Sequence, residues 1–309
     1  MKPFLEQLAD PFVYRHTDGW IYFTASVPEF DRIELRRART LVELKSAQPR
    51  VVWEKHDHGQ MSCNIWAPEI HYVDGEWVIY FAAAHTGADE NGCYDHRIYA
   101  LRCQGDPMDD PFTEVGRIET GWESFSLDAT TFQLGDRRYF VWAQRDPDIP
   151  GNSNLYIARM RDAFHLATPP VCLSRPEYDW ECQGFLVNEG PAVLRYGGRL
   201  YLTYSASATD ERYCVGLLTA EEDSNLLDPK TWRKATQPVL FTCVEEEIYG
   251  PGHNCFTTDE AGNCLIVFHA RPYPGFQGTA LSDPNRHTYL MRIRYGSSGN
   301  PEFLIPGCT

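Results

Sequence analysis

The sequence contains little positive charge. Its 28 lysine and arginine residues stand against 43 aspartate and glutamate residues, a formal net charge of −15. Proteins that bind nucleic acids need a basic surface to meet the phosphates, so this balance excludes a nucleic acid as the expected partner. It also disfavours an anionic polysaccharide backbone as the main contact. A neutral small sugar is compatible with the charge.

Long hydrophobic runs are also absent. No stretch approaches the roughly 18 apolar residues of a membrane-spanning helix, so no membrane partner is expected. The opening residues, MKPFLEQLAD, lack the apolar core of a secretory signal. The ten cysteines form no C-x-x-C pair, and Cys103, Cys214 and Cys264 lie in strand-like segments. These features together predict reduced, mostly buried thiols in a cytoplasmic protein.

Several common catalytic motifs are missing. The sequence has no G-x-S-x-G, H-E-x-x-H, P-loop or G-x-G-x-x-G pattern. Serine esterase, zinc peptidase and nucleotide-binding functions therefore lack support. Aromatic residues, by contrast, are abundant at 13% of the chain. Aromatic rings favour β-structure, and they also stack on the apolar faces of sugar rings.

One pattern recurs five times along the chain. Each copy has a polar or small residue, a short strand, a turn such as Thr17-Asp-Gly, and a second strand that ends in an aromatic residue. The closing aromatic residues recur every 58 to 64 positions and are Phe23, Phe81, Trp142, Tyr204 and Phe268. A third strand is predicted in every copy, at 33–38, 98–103, 155–160, 213–219 and 289–294. Five repeats of this kind predict an all-β fold, a five-bladed β-propeller that forms a single domain over residues 1–309.

The head of each repeat carries a residue that is expensive to bury. In a propeller the first strand of each blade lines the central channel, so the five heads are predicted to converge at one mouth of that channel. They are Asp10, Glu69, Asp128, Glu189 and His253. Four carboxylates that face one another repel and lose hydration, a cost that favours a functional explanation over a structural one.

These five positions resemble glycoside hydrolase family 43. The matching motifs are Ala9-Asp10-Pro11, Trp66-Ala67-Pro68-Glu69, Ser126-Leu127-Asp128-Ala129, Asn188-Glu189-Gly190-Pro191 and Gly250-Pro251-Gly252-His253-Asn254. Each motif is short, but their order and spacing cover nearly the whole chain. The resemblance implies a five-bladed propeller and an inverting two-carboxylate mechanism.

The resemblance also implies roles for individual residues. Asp10 is expected to be the general base, Glu189 the general acid, and Asp128 the residue that orients the acid and raises its pKa. Trp66 and Arg271 are expected to contact the substrate, as is His253. Because the family's channel histidine often lies beside a cation, a structural calcium ion is expected near His253, although no cofactor is required.

Glu69 has two interpretations. It is assigned to substrate contact, with a structural hydrogen bond to the backbone or a neighbouring blade as the alternative.

The expected function is an inverting, exo-acting α-L-arabinofuranosidase that acts on a neutral pentose-containing oligosaccharide. A β-xylosidase or an endo-arabinanase on the same scaffold is the alternative among enzymes. A non-catalytic sugar-binding propeller is the alternative from another class, and the presence of all three carboxylates counts against it. The sequence does not indicate an oligomeric state or a linkage preference.

Overall fold

The protein is described by a computed structural model that covers residues 1–88 and 93–308. Nearly all regular structure is β-strand, and the strands form five antiparallel sheets in chain order. The first sheet contains β1 (Ala9–Arg15), β2 (Ile21–Ser26), β3 (Arg32–Ala38) and β4 (Arg50–Glu54). The second contains β5 (Cys63–Val73), β6 (Glu76–Ala84), β7 (Arg97–Cys103) and β8 (Thr113–Arg117).

The remaining sheets follow the same plan. The third contains β9 (Ser126–Leu134), β10 (Arg137–Gln144), β11 (Asn154–Asp162), β12 (His165–Leu166) and β13 (Val171–Ser174), with both short strands paired to β11. The fourth contains β14 (Asn188–Tyr196), β15 (Arg199–Ala206), β16 (Cys214–Glu221) and β17 (Arg233–Lys234). The fifth contains β18 (Tyr249–Thr258), β19 (Cys264–Arg271) and β20 (His287–Arg292).

Few elements lie outside these sheets. A separate hairpin joins β21 (Arg294–Tyr295) to β22 (Pro301–Glu302). Within residues 1–88 and 93–308 the helical segments are the single turn α1 (Leu41–Leu44) and two 3₁₀ turns, Asp179–Glu181 and Pro229–Thr231. Among the described residues, no helix combines the length and the apolar character that a membrane crossing needs.

The five sheets close into a ring. The first strand of each sheet contacts the first strand of the next, from β1 through β5, β9 and β14 to β18, and β18 contacts β1 again. The sheets are therefore the blades of a propeller, and the predicted five-bladed fold is confirmed. The predicted third strands correspond to β3, β7, β11, β16 and β20, with ends that differ by at most two residues. All five blades belong to one ring.

Each innermost strand is interrupted by a β-bulge near the same end. Its pairing with the second strand shifts between Ala9 and Phe12 in the first blade, and comparable shifts occur in the other four. In each of these strands one residue at a register shift adopts a left-handed φ between 42° and 54°, and these residues are Asp10, Ala67, Asp128, Gly190 and His253. β5 and β18 have a second register shift, where Asn64 and Gly250 are left-handed. A bulge turns a side chain away from the regular alternation of a strand. Non-glycine residues at such φ values cost about 1–3 kcal/mol and concentrate at functional sites.

The backbone N–H groups at four of these bulges are bound by side chains of the preceding blade. The N–H of Ala67 donates to Ser26 Oγ at 2.8 Å, and the N–H of His253 donates to Ser205 Oγ at 2.7 Å. In the same way Gly190 N–H donates to the Asp128 carboxylate at 3.0 Å. In the first blade, Asp10 N–H donates to the Nδ1 atom of a histidine on β19 at 3.1 Å. The bulges are thus positioned by contacts between blades as well as within them.

Candidate active site

One mouth of the channel holds a cavity of about 760 Å³, including the space open to solvent. The three carboxylates that the sequence predicted as catalytic, Asp10, Asp128 and Glu189, all line it, together with His253 and Trp66. Their strands come from blades one, three, four, five and two, so every blade contributes one of them. The repeat heads therefore converge as predicted, with the exception of Glu69.

Asp10 is kept ionised by its neighbours. Burial raises the pKa of Asp10, but His253, Arg286 and His269 outweigh this effect and hold the pKa well below its usual range. Asp10 Oδ1 lies 3.5 Å from Arg286 Nη1, 3.1 Å from His269 Nδ1 and 3.5 Å from His253 Nδ1. Burial lowers the pKa of His269 to about 4, so Arg286 carries a permanent positive charge beside Asp10 whereas His269 is neutral at pH 7. An ionised carboxylate in this position can accept a proton from water.

The pKa of Glu189 is shifted in the opposite direction, above its usual value. Burial raises the pKa of Glu189 to about 7, opposed by a hydrogen bond from Tyr213 and assisted by the negative charge of Asp10. The pKa of Asp128 is also raised well above its usual value, by burial and by repulsion from Glu189 and Asp10. Because both pKa values are raised, the buried pair Asp128 and Glu189 retains a proton near neutral pH. This proton is available for donation to a leaving group.

Tyr213 is a site residue that the sequence did not reveal. Its hydroxyl donates to Glu189 Oε1 at 2.8 Å, and its ring lies parallel to the His269 ring at 5.6 Å between centroids. The ring packs on the backbone of Gly252, where an added Cβ would stand 2.2 Å from Tyr213 Cε1. This close approach explains one glycine of the Gly250-Pro251-Gly252 motif. Tyr213 precedes β16, outside the repeat heads, so the repeat pattern gives no signal for it.

His253 contacts the carboxylates rather than a set of metal ligands. Its Nδ1 atom lies 3.5 Å from Asp10 Oδ1 and 3.6 Å from Asp128 Oδ2. Ca²⁺ takes roughly six to eight oxygen ligands, so these two oxygens do not support the predicted calcium ion. In the part of the chain that the structure describes, the side chains with metal-ligand spacing are Cys243, Glu245 and Cys308, none of which lines the cavity.

Trp66 forms part of an aromatic wall. Its ring stacks on His96 with 4.0 Å between centroids and meets Tyr94 edge-on at 5.1 Å. Trp66 and Tyr94 both line the cavity, which agrees with the predicted substrate contact.

Glu69 does not line the cavity, contrary to the prediction. It lies two residues beyond the left-handed residue of its blade, Ala67, and is therefore displaced along the channel. Its carboxylate accepts a hydrogen bond from His71 Nε2 at 2.9 Å, and both side chains are buried. The alternative interpretation, a structural hydrogen bond, agrees with this contact, although the partner is a side chain of its own strand.

Arg271 is also absent from the cavity wall. Its guanidinium donates to the carbonyl oxygens of Thr209 and Ala280, and its Nε lies 3.7 Å from Asp283. Arg271 therefore supports the loop of residues 272–286 without lining the cavity. The arginine that reaches the cavity is Arg286, at the end of that loop and 5% exposed. It lies outside every repeated motif, which is why the sequence pattern gave no signal for it.

The model of glycosyl hydrolases family 43 matches residues 1–301. The chain belongs to glycosyl hydrolase family 43. The family assignment from the sequence motifs is thereby confirmed, and the cavity described above occupies the position at which the family motifs converge.

Several relatives of this family 43 chain are named as arabinofuranosidases. It is 46% identical over 307 residues to the extracellular exo-α-(1→5)-L-arabinofuranosidase of Streptomyces avermitilis, covering 99% of this chain and 63% of that protein. It is 48% identical over 279 residues to the enzyme of the same name from Streptomyces chartreusis, and the match covers 90% of this chain and 84% of that protein. A solved α-L-arabinofuranosidase from Lactobacillus brevis superposes with a TM-score of 0.95 at 52% identity, covering 98% and 95%. The chain thus spans about three fifths of the Streptomyces avermitilis relative.

The predicted cytoplasmic location is wrong. Both Streptomyces relatives are named as extracellular enzymes, which points to secretion. The prediction rested on the opening residues and on the cysteines, and the cysteines do not decide the location. Cys103 and Cys214 are buried, with 2% and 4% of their surfaces exposed. Buried thiols resist oxidation in any compartment, so they carry no information on location.

Proposed function

We propose that this family 43 chain is an exo-acting α-L-arabinofuranosidase that releases terminal arabinofuranose from arabinan or arabino-oligosaccharides with inversion. The observation that carries the proposal is the opposed tuning of two carboxyl groups in one cavity. Asp10 is ionised, whereas Glu189 has a pKa of about 7. Inverting hydrolysis needs this division between a base and an acid.

The roles of the residues follow from their charge. Asp10 accepts a proton from the attacking water, and Glu189 donates its proton to the oxygen of the leaving sugar. Asp128 contributes negative charge that keeps a proton on the pair, and its bond to Gly190 N–H fixes the backbone next to Glu189. The mechanism uses carboxyl groups alone and requires no cofactor.

The substrate is proposed from the relatives and from the walls of the cavity. Two relatives are named for exo-cleavage of α-(1→5)-linked arabinofuranose, and we propose the same linkage here. The aromatic and apolar side chains Trp66, Phe125 and Leu127 line the cavity and suit the C–H faces of a neutral furanose. The substrate is therefore a neutral, pentose-containing oligosaccharide.

A paired assay tests the proposal. The purified protein is incubated with p-nitrophenyl α-L-arabinofuranoside and p-nitrophenyl β-D-xylopyranoside, with Glu189→Ala as the blank. Release from the arabinoside alone, lost in the variant, is expected. A preference for the xyloside would indicate a β-xylosidase instead. Activity on polymeric arabinan alone would indicate an endo-enzyme, and binding without hydrolysis would indicate a sugar-binding propeller.

The stereochemistry is tested separately. Proton NMR during the first turnovers should show β-arabinofuranose as the first product from the α-linked substrate. Initial release of the α-anomer would contradict the inverting mechanism.

A further inference from the structure

Phe185 is a large apolar side chain in the cavity wall that is open to water. Phe185 lines the cavity and is 37% exposed, and the next residue, Leu186, is 41% exposed. The other apolar wall residues are less exposed: Val187 and Phe125 are buried at 2% and 7%, and Trp66 and Leu281 are partly buried. Phe185 therefore lies at the rim, where the cavity opens to solvent. An exposed apolar surface beside a site of convergent polar groups indicates a binding surface.

The segment that carries Phe185 is anchored at its beginning by a buried carboxylate. Glu181 has no exposed surface. Its Oε2 accepts the backbone N–H groups of Glu177 and Tyr178, both at 3.0 Å. Its Oε1 accepts hydrogen bonds from the Tyr204 hydroxyl at 2.9 Å and lies 2.8 Å from Lys234 Nζ. A buried charge that is fully paired in this way fixes the local backbone.

The end of the segment is anchored as well. Asn152 N–H donates to the carbonyl of Leu186 at 2.8 Å, and Asn188 N–H donates to the carbonyl of Ser153 at 3.0 Å. The amide of Asn188 also donates to Glu181 Oε1 at 3.1 Å, so the anchor extends to the residue before Glu189. Phe185 is consequently presented on a backbone held at both ends, and its exposure is built into the fold.

We infer that Phe185 binds the sugar ring that leaves, namely the arabinofuranosyl unit next to the terminal one. This inference rests on the proposed function. The terminal ring must lie between Asp10 and Glu189, which are buried in the cavity. Glu189 protonates the oxygen that joins the two rings, so the leaving ring extends from Glu189 toward the solvent. Phe185 lines the same cavity where it opens to solvent, and an aromatic ring is the kind of side chain that contacts sugar C–H groups.

The test compares two substrates with the same terminal sugar and different leaving groups. When the terminal arabinose is cleaved, the leaving group of arabinotriose is arabinobiose, whereas that of methyl α-L-arabinofuranoside is methanol. Phe185→Ala is expected to lower kcat/KM about fivefold for arabinotriose, the range of one aromatic contact, and to leave the methyl glycoside unchanged. Inhibition by free arabinose should also be unchanged, because the terminal-sugar site is intact.

Phe276→Ala is the matched control. Phe276 is 43% exposed and does not line the cavity, so its removal should leave both substrates unaffected. Phe185→Leu serves if Phe185→Ala does not fold, since it keeps apolar bulk without the flat ring, and a selective loss on arabinotriose is again expected.

Two results would overturn the inference while leaving the proposed function in place. One is an equal loss on both substrates with Phe185→Ala, which would place the side chain against the terminal ring or in the fold. The other is an unchanged kcat/KM for arabinotriose. A wild-type protein that hydrolyses neither arabinoside would instead overturn the proposed function, and the inference with it.

Discussion

The two ends of the propeller channel differ in chemistry more than in size. The opposite end has a cavity of about 920 Å³, larger than the 760 Å³ of the candidate active site. Its wall is formed mainly by threonine, valine and phenylalanine side chains, such as Thr131, Val193 and Phe256. The candidate active site combines three carboxylates and an arginine within one wall. Cavity volume alone would favour the end without carboxylates, whereas the opposed pKa shifts favour the end that holds Asp10 and Glu189.

The largest expected effect separates the two ends directly. Glu189→Gln removes the proton donor and should lower kcat on arabino-oligosaccharides by roughly 10²–10⁴-fold, the usual contribution of general acid catalysis. The control is Thr257→Val at the opposite end, where the Thr257 hydroxyl is buried without a hydrogen-bond partner. Its removal should leave kcat unchanged. Comparable losses in both variants would remove the distinction between the ends.

A second prediction concerns the close packing beneath Tyr213. Gly252→Ala places a methyl group against the Tyr213 ring and should destabilise the protein by about 1–3 kcal/mol, the usual cost of overpacking. Gly87→Ala is the matched control, because no atom of the described residues lies within 4 Å of the added Cβ there. Denaturant unfolding measures both variants. A Gly252→Ala protein as stable as the control would show that the Tyr213 ring can move away.

A smaller effect is expected from the bulge contacts. Ser205→Ala removes the acceptor of the buried His253 N–H and should cost about 1–3 kcal/mol, with the lower end expected if water replaces the hydroxyl. Ser224→Ala, in an exposed turn, is the control and should change the free energy of unfolding by less than about 0.5 kcal/mol. Because Ser205 also positions His253 beside Asp10, activity should fall together with stability. A loss of stability without any loss of activity would separate the bulge from the site.

The smallest effect is a displacement of the pH profile. The pKa of Glu189 is raised to about 7, so activity should fall as the pH rises through 7 and the acid loses its proton. The hydrogen bond from Tyr213 stabilises the ionised form of Glu189 and lowers that pKa. Tyr213→Phe should therefore move the basic limb of kcat/KM to higher pH. A limb that moves to lower pH, or stays in place, would show that Tyr213 does not tune the acid.

The sequence predicted the fold well because the repeat carries the information. Hydrophobic alternation and turns recur in every blade, so the strands could be located without any knowledge of contacts between blades. The exact head of each repeat was harder to define. Ala67, not Glu69, has the left-handed φ shared by Asp10, Asp128, Gly190 and His253, and a bulge cannot be recognised from residue types alone.

The remaining site residues were missed because they do not belong to the repeat. Arg286 and Tyr213 reach the cavity from segments between the innermost strands, and His269 on β19 contacts Asp10 without lining the cavity. Their positions depend on how loops and blades pack together. Arg286, for example, lines the cavity, whereas Arg271 binds backbone carbonyls outside it. The cellular location of the protein could not be predicted from the cysteines either, since the burial of Cys103 and Cys214 is compatible with any compartment.

The hydrogen bonds between neighbouring blades at the bulges have a consequence for how the site tolerates change. The serine on β15 fixes His253, His269 on β19 fixes Asp10, and Asp128 fixes Gly190 beside Glu189. The backbone at Asp10, at His253 and beside Glu189 is thus held in place by the preceding blade. A blade transplanted alone into another propeller would bring its carboxylate but not the partner that aims it. Redesign of this site must therefore proceed by adjacent pairs of blades.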